Sequence, residues 1–266
     1  MKTFICCDIE GVNGICSWSE TKKGTSEYDY FSKRMTDEID WICRGINNFN
    51  SDTNIYIRDA HDSARNIDHF CLPKNTYLLR GWSGNPYCMM QGIDKSFDAT
   101  ILSGCHSGAG TNHNPLSHTM SQNIVYLKIN GILANEFLIN YYASLYNEVP
   151  VVMVSGDAGL CNFAKKLDPN IFTVTTLSSD GGSVVSEHPI NTFKKLEEAA
   201  FDAINSRNKM SIDLPKKFEI EIYYKNYVTA YRHSFYPNAY EISANIVGFK
   251  CDDYFEFLRF FSFQPD

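Results

Sequence analysis

The sequence predicts an α/β fold: a mostly parallel central sheet with flanking helices, followed by a smaller C-terminal α+β subdomain. Two observations carry this reading. Short apolar runs alternate with longer amphipathic segments over most of the chain, the trace left by strands and their crossover helices. From Lys217 the pattern changes to strict alternation, with Phe218, Ile220 and Ile222 on one face, as in half-buried strands. The expected division is an α/β catalytic unit over residues 1-210 and an α+β unit over 211-266, as two units or as parts of one continuous domain.

Thr3 to Asp8 reads as a buried strand, and Asn54 to Arg58 as the next. Between them, Tyr30, Met35, Ile39, Ile42, Ile46 and Phe49 recur at spacings of three to five, which predicts a helix from Ser26 to about Phe49. Further strands are expected at Thr76 to Leu79, Ala99 to Leu102 and Val149 to Ser155, the last leading to Asp157 as the cap of a helix that ends near Leu167. Ile124 to Ile129, Asn130-Gly131 and Ile132-Leu133 read as a hairpin with a tight turn, with a helix from Ala134 to Tyr146 behind it. Asp180-Gly181-Gly182 reads as a loop, Ile190 to about Ser206 as a helix, Glu241 to Phe249 as a strand and Asp252 to Phe261 as an aromatic-rich last helix. That last segment suits a core or a subunit interface equally.

Composition narrows the function class. At 266 residues, with 44% hydrophobic and 21% charged residues, the chain is long enough for a substantial core. A net charge of -7 argues against nucleic acid as a partner, and no run approaches the roughly 20 apolar residues that a membrane span needs. The start lacks a small-residue cleavage site, so a soluble, cytoplasmic protein is expected. The nine cysteines include no CxxC pair, which suggests reduced core residues rather than a disulfide framework or a thiolate metal site.

In an open α/β sheet, ligands gather beyond the carboxyl ends of the strands. Asp8 and Glu10 stand there after the first strand, Asp59 and His61 after the second, and His106 after the run ending Ile101-Leu102-Ser103, while Glu136 sits in a first helical turn. Carboxylates mixed with imidazoles, without thiolates, are a ligand set for catalytic zinc, manganese or cobalt, and such a group can hold a bridged metal pair. Asp8 and Glu10, at i and i+2, face the same side of an extended chain. The segment 103-110, rich in glycine, lacks the GK[ST] ending of a phosphate loop and reads as a flexible loop carrying a ligand.

The set Cys6-x-Asp8-x-Glu10-Gly11, Asp59-Ala60-His61, Gly104-Cys105-His106, Ser117-His118-Thr119-Met120 and Asn135-Glu136 resembles the DppA-type D-aminopeptidases, peptidase family M55. The likeness covers the first 160 residues closely and the remainder more loosely. It implies a binuclear zinc centre, with manganese or cobalt as alternatives, ligated by Asp8, Glu10, His61, His106 and Glu136, in which Asp8 bridges. His118 would be the catalytic histidine. Two departures stand out: Cys6 replaces the family's serine, and Thr119 follows His118 where serine is expected. The implied activity is release of the N-terminal residue from short peptides, of D or L configuration, by a metal-activated water. A ring-type homo-oligomer, a decamer in the family, is implied as well. A metal-dependent amidase or deacylase acting on a non-peptide amide, and a non-catalytic metal-binding scaffold, remain open beside it.

Overall fold

In the computed structural model, which describes residues 1–206 and 212–264, the first apolar run forms β1 (Lys2–Cys7). The expected boundary at 210/211 lies outside the described residues. Thr25 caps α1 (Ser26–Phe49) by accepting from the Tyr28 amide. The helix turns Tyr28, Phe31, Met35, Ile39, Ile42 and Ile46 inward, spaced at three and four, whereas Tyr30 is 56% exposed. Tyr30 is thus off the inward face on which the sequence reading placed it, since a step of five to Met35 breaks the helical stripe.

After α1 come β2 (Asn54–Asp59), β3 (Thr76–Leu79) and β4 (Ala99–Cys105). The Asn130-Gly131 turn joins β5 (Ile124–Ile129) to β6 (Ile132–Ala134), and Asn135 caps α2 (Glu136–Tyr146). Then follow β7 (Val151–Asp157) and α3 (Ala158–Leu167), capped by Asp157 as expected. Two strands absent from the sequence reading come next, β8 (Phe172–Asp180) and β9 (Ser183–Val185), and then α4 (Pro189–Ser206). The last part comprises β10 (Phe218–Tyr224), α5 (Tyr227–His233), β11 (Ala239–Ser243), β12 (Ile246–Cys251) and α6 (Tyr254–Phe261). The single strand expected over 241–249 is therefore two, folded back at Ala244-Asn245, where the Asn245 amide ties the turn to the Tyr224 carbonyl.

The central sheet has the order β3-β2-β1-β4-β7-β8-β9, parallel through β8 with β9 antiparallel at the edge. Residues alternate across it. Ile5, Cys7, Ile55, Ile57 and Ile101 face α1 and α4, while Phe4, Cys6, Leu102 and Val154 face a second core shared with α2, α3 and α6. The second sheet, β11-β12-β10-β5-β6, is antiparallel throughout. Its strands come from both 124–134 and the C-terminal segment, so the C-terminal strands extend an earlier hairpin.

From β1 the chain winds outward through β2 to β3, then returns to lay β4 on the opposite side of β1. The crevice between the carboxyl ends of β1 and β4 is the topological switch point, where open α/β sheets place their ligands. The two strand ends meet closely: the Asp8 amide donates to the Ser103 carbonyl at 2.9 Å and the Gly11 amide to the Gly104 carbonyl at 2.8 Å. Gly104 has φ +67, and a Cβ there would lie 2.1 Å from the Asp8 carbonyl oxygen. Gly104→Ala combines left-handed backbone strain with a backbone clash and is expected to cost about 3 kcal/mol or more. Gly131→Ala, at φ +78 with nothing within 4 Å of the new Cβ, is expected to cost only about 1 kcal/mol. Denaturant unfolding of the two variants measures both.

Candidate metal centre

The switch point gathers all five expected ligands. Asp8 and Glu10 follow β1, His61 follows β2, His106 directly follows β4, and Glu136 is the first residue of α2. Every one is buried, with exposures between 1% and 7%. Asp8 lies between two imidazoles: Oδ1 is 3.2 Å from His61 Nδ1 and Oδ2 is 3.5 Å from His106 Nε2. Glu10 Oε2 lies 3.1 Å from the same His61 nitrogen, and Glu136 Oε2 lies 3.4 Å from the same His106 nitrogen. His118 stands beside this group, its Nε2 3.7 Å from Glu136 Oε1.

Backbone carbonyls fix which ring nitrogen points inward, because each histidine has a hydrogen-bond acceptor on its outer nitrogen. His61 Nε2 lies 2.9 Å from the Thr21 carbonyl, His106 Nδ1 3.0 Å from that of Ser107, and His118 Nδ1 2.9 Å from that of Leu116. With N–H donated outward, each inner nitrogen is left with a lone pair, the tautomer a metal ligand or proton acceptor needs. Ring packing adds to this. His118 stacks on His106 at 4.3 Å between centroids and 5° between planes, and meets the edge of Trp18 at 5.2 Å.

The electrostatics call for positive charge. Burial alone would raise the Asp8 carboxyl, but hydrogen bonds and charge from His106 and His61 outweigh it and hold the group well below the usual range. Burial likewise opposes charge on both imidazoles, yet Glu10 and Asp8 raise His61, and Glu136 and Asp8 raise His106. Beyond these ion-pair contacts, Glu10 Oε2 and His106 Nε2 are buried without a well-formed hydrogen bond among the described residues. Buried acceptors left in this way are costly unless something else satisfies them. Ligand atoms of Asp8, Glu10 and His106 lie within 4.8 Å of one another, as do those of His106, His118 and Glu136, so the residues present fit a divalent cation.

Residues around the ligands hold their loops. Asp157, expected only as a helix cap, also accepts from the Ser107 amide and hydroxyl, both at 2.6 Å, and from the Asn114 side chain at 3.2 Å. Asn114 in turn donates to the Glu10 carbonyl at 3.0 Å. The segment 103–109 is accordingly buried and pinned, where the sequence suggested a flexible loop. Asp59 accepts from the Asn66 and Ile67 amides and so closes the 61–67 turn rather than orienting the His61 ring. Thr119, one of the two departures, accepts from the Ala109 amide and donates to the Ala134 carbonyl. Cys6, the other, is a buried thiol pushed up by burial, as is Cys105, so neither side chain offers a thiolate. His69, His113, His188 and His233 take no part in the site. The ligands open onto a cleft of about 890 Å³ whose outer lining includes Trp18, Asp62 and Trp82.

The family model for the M55 peptidases, D-aminopeptidases, matches residues 1–263. The chain belongs to this family. It is 27% identical over 230 residues to the D-aminopeptidase of Bacillus subtilis (strain 168), covering 85% of this chain and 82% of the relative. The solved structure of the zinc-dependent D-aminopeptidase DppA from Bacillus subtilis, a self-compartmentalizing protease, superposes with a TM-score of 0.91 at 24% identity, over 98% of this chain and 95% of that one. The superposition bears out the expected α/β fold with its mostly parallel central sheet, and the M55 assignment the expected peptidase. Among the described residues no helix is long and apolar enough to cross a membrane.

Glu38 of α1 was invisible to the sequence reading. It is 1% exposed; its Oε1 accepts from the Asn13 amide at 2.8 Å, just past the Gly11 turn, and its Oε2 has no hydrogen-bond partner among the described residues. Burial pushes its carboxyl from 4.5 up to about 8. The folded state therefore holds a proton that the unfolded state releases, so this stabilisation is complete below pH 4.5 and is lost as pH rises toward about 8. Glu38→Gln, which keeps an acceptor for Asn13 and cannot ionise, is expected to gain stability over the wild type as pH rises from 5 to 8, reaching roughly 3 kcal/mol. Chemical unfolding at a series of pH values reads this directly.

Proposed function

We propose that this M55 peptidase removes the N-terminal residue from short peptides at a centre of two zinc ions held by Asp8, Glu10, His61, His106 and Glu136. One observation carries the reading of a pair: the two oxygens of Asp8 face different imidazoles, each of which has its own glutamate. Asp8, Glu10 and His61 make one half-site, and Asp8, His106 and Glu136 make the other. Zinc is supported by the nitrogen and oxygen donor set and by the zinc dependence of the Bacillus subtilis relative. Manganese and cobalt suit the same donors. When bound, the ions supply Lewis acidity, lowering the pKa of water toward neutrality and polarising the scissile carbonyl.

The chain's own residues do the rest. His118 Nε2 is the free nitrogen of a ring fixed by Leu116, His106 and Trp18, and it is the only imidazole of the group in the cleft wall that no half-site uses. We assign it the proton that passes between the attacking water and the departing amine. The Met120 amide donates to Glu136 Oε1 at 2.6 Å, so the turn carrying His118 is tied to a ligand. A preference for D-residues is supported by the family description and by the names of both relatives.

We further infer a ring-type homo-oligomer, a decamer as the family resemblance implies, supported by the self-compartmentalizing relative and by exposed apolar side chains such as Phe70, Val185 and Phe235. A cytoplasmic location is supported by nine free cysteines. His118→Ala is expected to lower kcat on aminoacyl amides by about a hundredfold or more with zinc content unchanged. Steady-state kinetics beside metal analysis decides it: full activity in a zinc-replete variant removes the proton-transfer role, and a zinc-replete wild type that hydrolyses acyl amides but no aminoacyl amide favours an amidase.

A further inference from the structure

Beyond the ligands the cleft runs into an apolar end. Met89, Ile139, Leu258 and Phe261 line it, each no more than 6% exposed and none with a charged or strongly polar side chain. Leu258 and Phe261 follow Tyr254 at i+4 and i+7, on one face of α6. The Tyr254 hydroxyl donates to the Ile139 carbonyl at 2.7 Å, which locks α6 onto α2 one turn past Glu136. This wall is thus rigid before any ligand arrives.

Asn140 is the polar exception. It lies one turn after Glu136, on the same face of α2, lines the same cleft and is 3% exposed. Among the described residues its side chain makes one hydrogen bond, from Nδ2 to the Met89 sulfur at 3.5 Å. A thioether is a weak acceptor, and a buried carboxamide normally finds stronger partners. The Asn140 carboxamide is therefore placed to take a stronger partner from a ligand in the cleft.

We propose that this end of the cleft is a specificity pocket for a large apolar substrate side chain, with Asn140 hydrogen-bonding the substrate's main chain. The inference rests on the aminopeptidase reading above and adds its substrate class. The whole cleft, with the candidate metal centre included, measures about 890 Å³, near the top of the range for small-molecule sites, about 300–1,000 Å³, and so has room for a large side chain beside that centre. A leucine or phenylalanine side chain takes more of its own apolar surface out of water against the Met89, Ile139, Leu258 and Phe261 wall than an alanine methyl does. A main chain held at Asn140 also lies next to Glu136, and so beside the centre.

Binding of alanine, leucine and phenylalanine hydroxamates, in both configurations, to the zinc-loaded protein tests this by thermal shift and titration. In the better-bound configuration, the leucine and phenylalanine compounds are expected to bind at least about tenfold more tightly than alanine. Asn140→Ala is expected to weaken all three by about tenfold while keeping their ranking, at wild-type zinc content and melting temperature. Equal binding of alanine and phenylalanine overturns the pocket, and this result needs no variant. Unchanged affinities in a folded Asn140→Ala overturn the role of the amide. Hydrolysis of the matching amides is read separately: no turnover with the size ranking intact contradicts the aminopeptidase reading and leaves the pocket standing.

Discussion

Three carboxylates, Asp8, Glu10 and Glu136, are buried against two imidazoles at the end of a parallel sheet, and the rest of the structure answers to that concentration of negative charge. Ionised carboxylates taken out of water are tolerated only when cations or strong donors face them. The chain supplies few donors of its own here. The Ile9 amide reaches Asp8 Oδ1 and the Met120 amide reaches Glu136 Oε1, while Glu10 Oε2 receives no backbone amide among the described residues. What remains is a demand for positive charge, met by protons on His61 and His106 or, with the tautomers fixed by Thr21 and Ser107, by divalent ions.

The architecture explains why these side chains converge. Sheet topology places the ends of β1 and β4 side by side at the switch point, and the glycines at 11 and 104 let the two backbones touch. Asp157, at the end of β7, then clamps the loop that carries His106 through Ser107 and Asn114. Glu136 arrives from a different quarter, at the start of α2 behind the β5–β6 hairpin. The second sheet and α6 pack around that helix, so the C-terminal segment completes the cleft even though no ligand comes from it.

Much of this was legible in the sequence, for identifiable reasons. The strands that bear ligands are continuous apolar runs followed at once by acids or histidines, a pattern that survives without knowledge of the tertiary fold. The five candidate ligands and His118 were singled out because their order and spacing matched a known family; spacing alone left the metal site as one reading among several. The parts that were missed lack a local signal. Strand β8 (Phe172–Asp180), rich in threonine and serine, lacks the apolar run of the other strands and has no element in the sequence reading; its parallel pairing with β7 makes it a strand. The turn at Ala244-Asn245 carries no glycine to announce it. Glu38 looks like any surface acid of a helix until the turn at Asn13 is laid against it, and Asp157 looks like a simple cap until β4 is laid beside β7. Tertiary contact creates these roles, and nothing within a few residues of each encodes them.

The central claim, that Asp8 joins two half-sites, is tested most directly by zinc-edge anomalous diffraction from crystals of the zinc-loaded protein. The account predicts two peaks per chain on either side of the Asp8 carboxylate, one contacted by Glu10 and His61 and the other by His106 and Glu136. A single peak held by Asp8, Glu10 and His106, with His61 Nδ1 away from the ion, would contradict it.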